Sequence, residues 1–272
     1  MRYLGGKQQI KKQLVDFMLP FALKCERIYE PFCGGCSITE EFAPRARKPY
    51  FASDAHAALI TMWQAVQGGW IPPRSVSKEQ AAWYKDNGPN DDPLTAFIGF
   101  GCRYSGVFNG GFVGRKPYHH RNNIGSRINN HGAIIQFDYA ASSSDVIRRS
   151  MSRMGQVKFT NCSYSDVVIE PNSFAYCDPP YAGTSGYSVG AFDHDKFWQW
   201  VREQSVHSLV LVSEYNAPSD FKSVHQISKR RNLGTVQANG LRGRHMTVEH
   251  LFATHGVAER LDVITRSLNC SC

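Results

Sequence analysis

The sequence predicts an α/β fold built on a parallel sheet, with a long basic insertion in it. Short apolar runs alternate with segments of helical period, first over residues 25–66 and again from residue 137 onward. The 272 residues are 42% apolar, which is enough to bury a core and excludes wholesale disorder. Between the two alternating regions lies a stretch rich in glycine, proline and asparagine that interrupts the pattern.

The N-terminal region reads as the start of a doubly wound sheet, because strand, helix, strand and helix follow one another. The first strand ends at Pro31, before the Gly34-Gly35 turn. The predicted elements are a strand at Cys25–Pro31, a helix through Ile38 and Phe42, a strand at Tyr50–Ser53 and a helix at Ala55–Val66.

The middle of the chain, residues 68–132, is predicted to be an insertion into one sheet domain made of residues 1–67 and 133–272. Only Leu94–Phe100 is apolar enough to form an element there. No acid occurs between Gly99 and Gly132, whereas cations and aromatic rings alternate: Arg103, Tyr104, Phe108, Phe112, Arg115, Lys116, Tyr118, Arg121 and Arg127. Cations suit phosphates and rings suit bases, so a nucleic-acid contact is indicated. A long solvated loop is the alternative.

The α/β alternation then resumes. The helix after residue 193 has Asp193 as its predicted N-cap. Asn239-Gly240 is a turn signal, and it predicts a final hairpin between Val236–Gln237 and Met246–Ala253. The other predicted elements are helices at Phe137–Met154 and His194–Gln204 and strands at Val157–Thr160, Phe174–Cys177 and Leu209–Val212.

The charge balance favours a polyanionic partner. Lys and Arg number 31 against 23 Asp and Glu, a formal net charge of +8, which indicates nucleic acid first and an anionic membrane second. No apolar run reaches the length of about eighteen residues that a membrane span needs. The N-terminus lacks the apolar segment of a signal peptide, so we expect a cytoplasmic protein with no membrane partner.

The cysteines indicate neither a disulfide framework nor a metal centre. Eight are scattered along a chain that is long enough to fold on its core alone. Cys33 and Cys36 form a CxxC pair, but a structural zinc site would need a second ligand pair at similar spacing. We therefore expect reduced thiols and no metal.

The turn after the first strand predicts a nucleoside cofactor. Gly34 and Gly35 allow close backbone approach, and Asp54, nineteen positions after Gly35, ends the second strand where it can accept hydrogen bonds from ribose hydroxyls. The fingerprint is not GxGxxG, which disfavours a dinucleotide. A simple glycine turn is the alternative reading.

A second constellation ends the strand Phe174–Cys177, where the chain continues as Asp178-Pro179-Pro180-Tyr181. The prolines stiffen this tip and leave backbone carbonyls as acceptors. Asp178 and a nearby carbonyl would face a group with two N–H donors, such as the exocyclic amine of a nucleobase. Tyr181 could stack on the ring of the same base. A strand that merely ends at two prolines is the alternative.

These segments, in this order, resemble the Dam-type DNA adenine N6-methyltransferases of the D12 class. The resemblance is carried by the N-terminal RYLGGK of residues 2–7, by Glu30-Pro31-Phe32-x-Gly34, by Asp54 and by Asp178–Tyr181. It extends to Phe159–Ser165 and Phe192–His194. It implies a Rossmann-like S-adenosylmethionine-dependent methyltransferase sheet over residues 1–67 and 133–272, a DNA target-recognition region at 68–132, and double-stranded DNA as partner. No obligatory protein partner is indicated.

The resemblance also implies roles for single residues. Tyr3 and Lys7 would contact S-adenosylmethionine, and the turn from Glu30 through Phe32 to Gly34 would hold its methionine end. Asp54 would hold the ribose. The catalytic segment would be Asp178, Pro179, Pro180 and Tyr181, with Asp178 between cofactor and target base.

For DNA, the resemblance places Arg2 near the duplex and aligns Arg103, Tyr104, Ser105 and Asn109 with the base-reading hairpin of the family. Arg115 and Lys116 are further expected DNA contacts.

The chain departs from the family pattern at Tyr3, where many members have Trp, and at Cys36, where they have a third glycine. Readers of GATC carry Asn and Arg at the positions of Ser105 and Asn109. Because Asn109 cannot make the bidentate contact of an arginine with guanine, a different or relaxed target is expected.

Other functions fit less of the chain. N4-cytosine methyltransferases usually carry Ser in place of Asp178, and RNA adenine methyltransferases tend to carry Asn. A nicotinamide oxidoreductase fits the sheet but not the glycine pattern. A nucleic-acid-binding protein that keeps the cofactor fold without turnover is the alternative from another class. Restriction protection, phage genome modification and epigenetic marking all stay open as the biological role.

Overall fold

The computed structural model describes residues 1, 3–114, 116–117, 136–181, 192–232 and 244–270. The chain forms two compact units. The first consists of Met1–Gly6, Gly34–Glu40 and His56–Gly155, and the second of Lys7–Cys33, Glu41–Ala55 and Gln156–Cys272. We call the second the sheet unit, because it contains the large sheet, and the first the helical unit.

The strands and helices are numbered in chain order. The strands are β1 (Arg27–Glu30), β2 (Tyr50–Asp54), β3 (Lys116–Pro117), β4 (Gln136–Phe137), β5 (Val157–Asn161), β6 (Ser173–Cys177), β7 (Leu209–Glu214), β8 (Phe221–Asn232) and β9 (Arg244–Thr254). The helices are α1 (Lys11–Ala22), α2 (Thr39–Ala46), α3 (Ala57–Gln67), α4 (Lys78–Asn87), α5 (Pro93–Ala96), α6 (Tyr139–Met154), α7 (His194–Ser205) and α8 (His255–Asn269).

The sheet unit has seven strands in the order β5-β2-β1-β6-β7-β9-β8. The first five run parallel, whereas β9 pairs antiparallel with both β7 and β8. Strand β1 pairs Ile28 with Tyr50 of β2 on one side and with Phe174 of β6 on the other. This confirms the predicted mixed α/β fold, with a sheet that is mostly parallel and consistent with a Rossmann-like methyltransferase.

Strands β6 and β7 are buried along their whole length because side chains pack on both faces of the sheet. On one face, Phe42 of α2 packs edge-on against Phe174 of β6. On the other, Ala175 and Cys177 of the same strand belong to a buried cluster with Phe197 of α7. Helices on both faces leave the carboxyl ends of the parallel strands as the edge at which such sheets bind ligands.

The helical unit contains α3, α4, α5 and α6 and the short strand pair of β3 and β4. Asp138 caps α6 through hydrogen bonds from the backbone N–H groups of Ala140 and Ala141, and Ser77 caps α4 through one from Gln80. A π-helical segment over Phe97–Gly101 follows α5 directly. The apolar stretch predicted as the one element of the insertion is therefore helical, and it follows a helix, α4, that the sequence pattern did not predict.

The C-terminal region differs in detail from the prediction. The strand that precedes β9 along the chain and pairs with it is β8, Phe221–Asn232. The predicted partner Val236–Gln237 and the Asn239-Gly240 turn lie outside the described residues. Helices α1 and α8 were not predicted either. Among the helices that the structure describes, none is long and apolar enough to cross a membrane.

Candidate active site

Three carboxylates stand at the carboxyl ends of neighbouring parallel strands of the sheet unit. Glu30 is the last residue of β1, Asp54 is the last residue of β2, and Asp178 follows β6 directly. Because β1 lies between β2 and β6, the three acids share one edge of the sheet. The expected nucleoside site and the expected catalytic segment therefore belong to the same edge.

The first two carboxylates differ in exposure. Glu30 is 2% exposed and accepts a hydrogen bond of 2.6 Å from the hydroxyl of Tyr50. Asp54 is half-buried, and its backbone carbonyl accepts from the side chain of Asn161, which holds the end of β2 against β5. Asp54 is thus the more accessible acceptor, while Glu30 is buried and held by Tyr50 of β2.

Lys7 connects two further carboxylates at this edge. Its Nζ lies 2.6 Å from Oδ1 of Asp178 and 3.4 Å from Oε1 of Glu249. Burial by itself lowers the pKa of a lysine, but the charges of Asp178 and Glu249 outweigh it and raise the pKa of Lys7 above its ordinary value. Lys7 therefore carries a positive charge in the interior, where two acids compensate it. Asp178 keeps 19% of its side chain exposed, so a ligand can reach it.

Tyr181, the last residue of the Asp-Pro-Pro-Tyr segment, is anchored inside the sheet unit. Its hydroxyl donates to Oε1 of Glu249, and its ring lies 4.6 Å from Nζ of Lys7 and 4.8 Å from the ring of Tyr215. Burial, and then the nearby carboxylates of Asp178 and Glu249, raise the pKa of the Tyr181 phenol well above its ordinary range. The phenol therefore stays protonated and remains a hydrogen-bond donor.

Phe32 and the two prolines complete the residues predicted in the sheet unit. The ring of Phe32 is half-buried against Tyr164, 5.5 Å away between centroids, and against Phe197 at the same distance. Pro179 is buried and Pro180 half-buried. Phe32 is thus part of an aromatic cluster with Tyr164 and Phe197.

In the helical unit, Tyr3 packs directly against the glycine turn. A Cβ at Gly34 would lie 2.8 Å from Cε1 of Tyr3, and one at Gly35 would lie 2.7 Å from its Cβ. The indole N–H of Trp63 donates to the carbonyl of Gly34 over 3.1 Å. Gly34 also has a φ of +46°, which favours glycine. Two predicted cofactor-binding segments, around Tyr3 and around Gly34, are therefore brought together by the fold.

The segment Arg103–Phe112, which we call the recognition loop, is closed by an antiparallel bridge between its two ends. Tyr104 is 67% exposed, and Ser105 is exposed with a φ of +56°. The N–H of Leu4 donates to the carbonyl of Gly106 over 3.1 Å. The loop therefore presents Tyr104 and Ser105 to solvent and is tied to the N-terminal motif.

Arg103 and Asn109 lie differently in this loop. Arg103 is 3% exposed, and its guanidinium donates to the carbonyl oxygens of Ala81 and Gly110. The side-chain amide of Asn109 donates to the carbonyl of Lys85, and its backbone N–H donates to that of Gly99. In this structure both residues shape the loop. Arg103 was predicted to contact DNA, and here its guanidinium is buried and donates to backbone carbonyls of α4 and of the loop.

Three predicted DNA contacts cannot be placed. Arg2 and Arg115 lie outside the described residues, and Lys116 is described only through its backbone in β3. In the part of the chain that the structure describes, no three His, Cys, Asp or Glu side chains are grouped so as to hold a metal ion.

Glu249 and Ser213 are the residues of this edge that sequence reasoning missed. Glu249 is 1% exposed in β9, and it accepts a hydrogen bond from Ser213 of β7 over 2.8 Å. The available signal was the single acid in the strand predicted at Met246–Ala253. A buried acid in such a strand requires a partner, and here the partners come from three distant segments.

Residues 3–84 match the family model of the D12 class N6 adenine-specific DNA methyltransferases. The resemblance seen in the motifs is thereby confirmed, and the enzyme class it indicates is an adenine-specific DNA methyltransferase with S-adenosylmethionine as methyl donor. The matched segment includes Tyr3, Lys7, Glu30 and Asp54, whereas Asp178 lies beyond it. The link from this D12-class segment to Asp178 is the contact that Lys7 makes.

Proposed function

We propose that the chain transfers a methyl group from S-adenosylmethionine to the N6 amine of an adenine flipped out of double-stranded DNA. The observation that carries this proposal is the position of Asp178. It follows the central strand β6, remains partly exposed, and is held by Lys7 of the N-terminal motif at 2.6 Å. We further propose that it acts in the cytoplasm, without an obligatory protein partner.

The chemistry asks the protein to activate a poor nucleophile. The lone pair of adenine N6 is delocalised into the ring. The Asp178 carboxylate and the Pro179 carbonyl can each accept one N6–H bond, which favours a pyramidal nitrogen with its lone pair directed at the methyl group. Bound S-adenosylmethionine supplies that methyl on a sulfonium sulfur. That sulfonium sulfur would keep the S–C electron pair as the leaving group, and N6 would afterwards lose one proton to solvent.

The residues at the sheet edge fit the donor groups of this cofactor. An ammonium group and a ribose diol both donate hydrogen bonds, and the edge offers carboxylate acceptors. We assign the ribose to Asp54, because it is half-buried, and a supporting role in the methionine turn to Glu30, because Tyr50 already holds it. Tyr3, Lys7, Phe32 and Gly34 stay predicted cofactor contacts.

DNA recognition is proposed to lie in residues 68–132, inserted into the methyltransferase domain of residues 1–67 and 133–272. The exposed side chains of Tyr104 and Ser105 support this assignment. A base inside a duplex cannot reach Asp178, so it must leave the stack, and we assign its stacking partner to Tyr181. Because position 109 carries asparagine and not arginine, we expect a target other than GATC or a relaxed one.

The test incubates the full chain with labelled S-adenosylmethionine and unmethylated duplex DNA, and then digests the DNA to nucleosides. Label in N6-methyladenine supports the proposal, and sequencing of the same DNA gives the target. Label in N4-methylcytosine overturns the choice of base. Bound cofactor without any label in DNA indicates the nucleic-acid-binding alternative.

A further inference from the structure

Glu249 lies where the sheet edge meets both segments of the expected catalytic site. It is on β9, which pairs with β7. Ser213 of β7 pairs with Leu251, two positions after Glu249. Its Oε1 accepts hydrogen bonds from the hydroxyls of Tyr181 and Ser213 and lies 3.4 Å from Nζ of Lys7. Three donors thus converge on one oxygen of a side chain that is 1% exposed.

We propose that Glu249 is a positioning residue for methyl transfer, which orients Tyr181 and shares the charge of Lys7 with Asp178. This inference rests on the proposed function, since it assigns a role in the same reaction. Glu249 is assigned no contact with substrate or cofactor; it acts through Tyr181 and through Lys7.

Glu249 keeps the charge of the cluster of Lys7, Asp178 and Glu249 negative. Lys7 carries one positive charge against the two negative charges of Asp178 and Glu249, so the cluster is net negative. As N6 takes up the methyl group it becomes positively charged, and a net negative site stabilises that change. Without the charge of Glu249, Lys7 would neutralise Asp178 alone, and Asp178 would become a weaker acceptor for N6–H.

The ring of Tyr181 is held by three neighbouring side chains. Lys7 lies 4.6 Å from its centroid, and the ring of Tyr215 meets it edge-on at 4.8 Å, with 83° between the planes. The bond from the phenol to Glu249 holds the end of the ring. A stacking platform held at these points needs no reordering when a base arrives, which lowers the entropic cost of binding it.

The decisive variant is Glu249→Gln, which keeps the size of the side chain and an oxygen that can accept from Tyr181 and Ser213. We expect kcat to fall about 10- to 100-fold, as for other supporting groups that act through a catalytic one, with the KM values for cofactor and DNA little changed.

The pH profile gives a readout that a merely structural role would not move. The ionisable groups facing Lys7 are Asp178, Glu249 and the phenol of Tyr181, and Tyr176 interacts with both carboxylates. Burial lowers the pKa of Lys7 and the two acids raise it. Removing one acid lowers that pKa, so the change in kcat that accompanies loss of the Lys7 proton at alkaline pH should move to lower pH. We call this change the alkaline limb.

Two further variants complete the test. Glu40→Gln alters another buried glutamate, which accepts from Ser150, and should leave the alkaline limb in place. Tyr181→Phe removes the phenol bond but keeps both charges, so kcat should fall while the limb stays. A folded Glu249→Gln protein with wild-type kcat and limb overturns the charge role. A Tyr181→Phe protein with wild-type kcat overturns the anchoring role, even where Glu249→Gln does not fold. Failure of the wild-type chain to methylate DNA would instead count against the proposed function.

Discussion

Nζ of Lys7 and Oδ1 of Asp178 lie 2.6 Å apart, although 171 positions separate the two residues along the chain. The ion pair joins the N-terminal motif, expected to bind cofactor, to the segment expected to activate the base. The charge of Lys7 is buried, and the two carboxylates of Asp178 and Glu249 compensate it. A change at either residue should therefore affect the other.

Asp178→Ala removes the acceptor proposed for the N6 amine. We expect kcat to fall by about 10² to 10³, as for the loss of one preorganised group in other enzymes. Single-turnover measurements at saturating cofactor isolate this step from binding. Asp178→Asn is the matched variant of equal size, and it should also be impaired because it lacks the charge. Near-full turnover of Asp178→Ala would remove Asp178 from the mechanism.

Lys7→Met leaves two buried carboxylates without their cation. We expect the free energy of unfolding at neutral pH to fall by about 3–5 kcal/mol, measured by urea denaturation. Lys196→Met, which breaks an exposed pair with Asp193, should cost about 1 kcal/mol or less. Equal losses in the two variants would show that the Lys7 pair is not stabilising.

The stability difference between the wild type and Lys7→Met should also depend on pH. The folded pKa of Lys7 lies above its ordinary value of 10.5, so the folded state holds this proton more tightly than the unfolded chain does. The stabilisation is therefore complete below pH 10.5 and is lost as the pH rises through the folded pKa. Melting temperatures of both proteins between pH 8 and about 11 measure this. A difference that already shrinks below pH 10.5 would contradict the raised pKa.

Arg103→Ala distinguishes a structural arginine from a phosphate-binding one. Because the guanidinium is bonded to Ala81 and Gly110, its loss should deform the recognition loop and weaken DNA binding at every salt concentration. The slope of log K against log[salt] should stay the same. Arg115→Ala, at an expected phosphate contact, should reduce that slope by about one. A reduced slope in Arg103→Ala would mean that Arg103 contacts phosphate in the complex.

Gly34→Ala tests the packing of the glycine turn on Tyr3. The new methyl group would lie 2.8 Å from the Tyr3 ring, so we expect weaker binding of S-adenosylmethionine by calorimetry. Tyr3→Ala removes the clashing atoms, and the double variant should lose less affinity than the sum of the two single variants. Gly155→Ala has no atom within 4 Å of the new carbon and serves as control. Strict additivity would show that the contact has no role in binding.

Strands β6 and β7 were predicted well because each contains an apolar run that ends in turn residues. Phe174–Cys177 is fully buried, and nothing local competes with the strand conformation there. Helix α4 escaped prediction for the opposite reason, since Ala81 is its one buried residue and no apolar stripe marks it. Helix α1 has an apolar stripe in Leu14, Met18 and Phe21, although it was not among the predicted elements.

The candidate site shows the same division. Asp178, Glu30 and Asp54 could be placed at one sheet edge, because each follows a recognisable strand. Glu249 could not, because its partners are set by the pairing of β9 with β7 and by the path of Tyr181. Arg103 lies in a basic, acid-free segment that suggests exposure, and only the tertiary structure shows that backbone carbonyls bury it.

The most direct test of the central claim is to produce the wild type and Asp178→Ala in a host without adenine methylation and to sequence the genomic DNA for modified bases. We predict N6-methyladenine at a defined set of sites in cells with the wild type, and at most a small fraction of that methylation with Asp178→Ala at equal protein levels. Genomic DNA free of N6-methyladenine, from cells in which the wild type is folded and binds cofactor, would contradict the account.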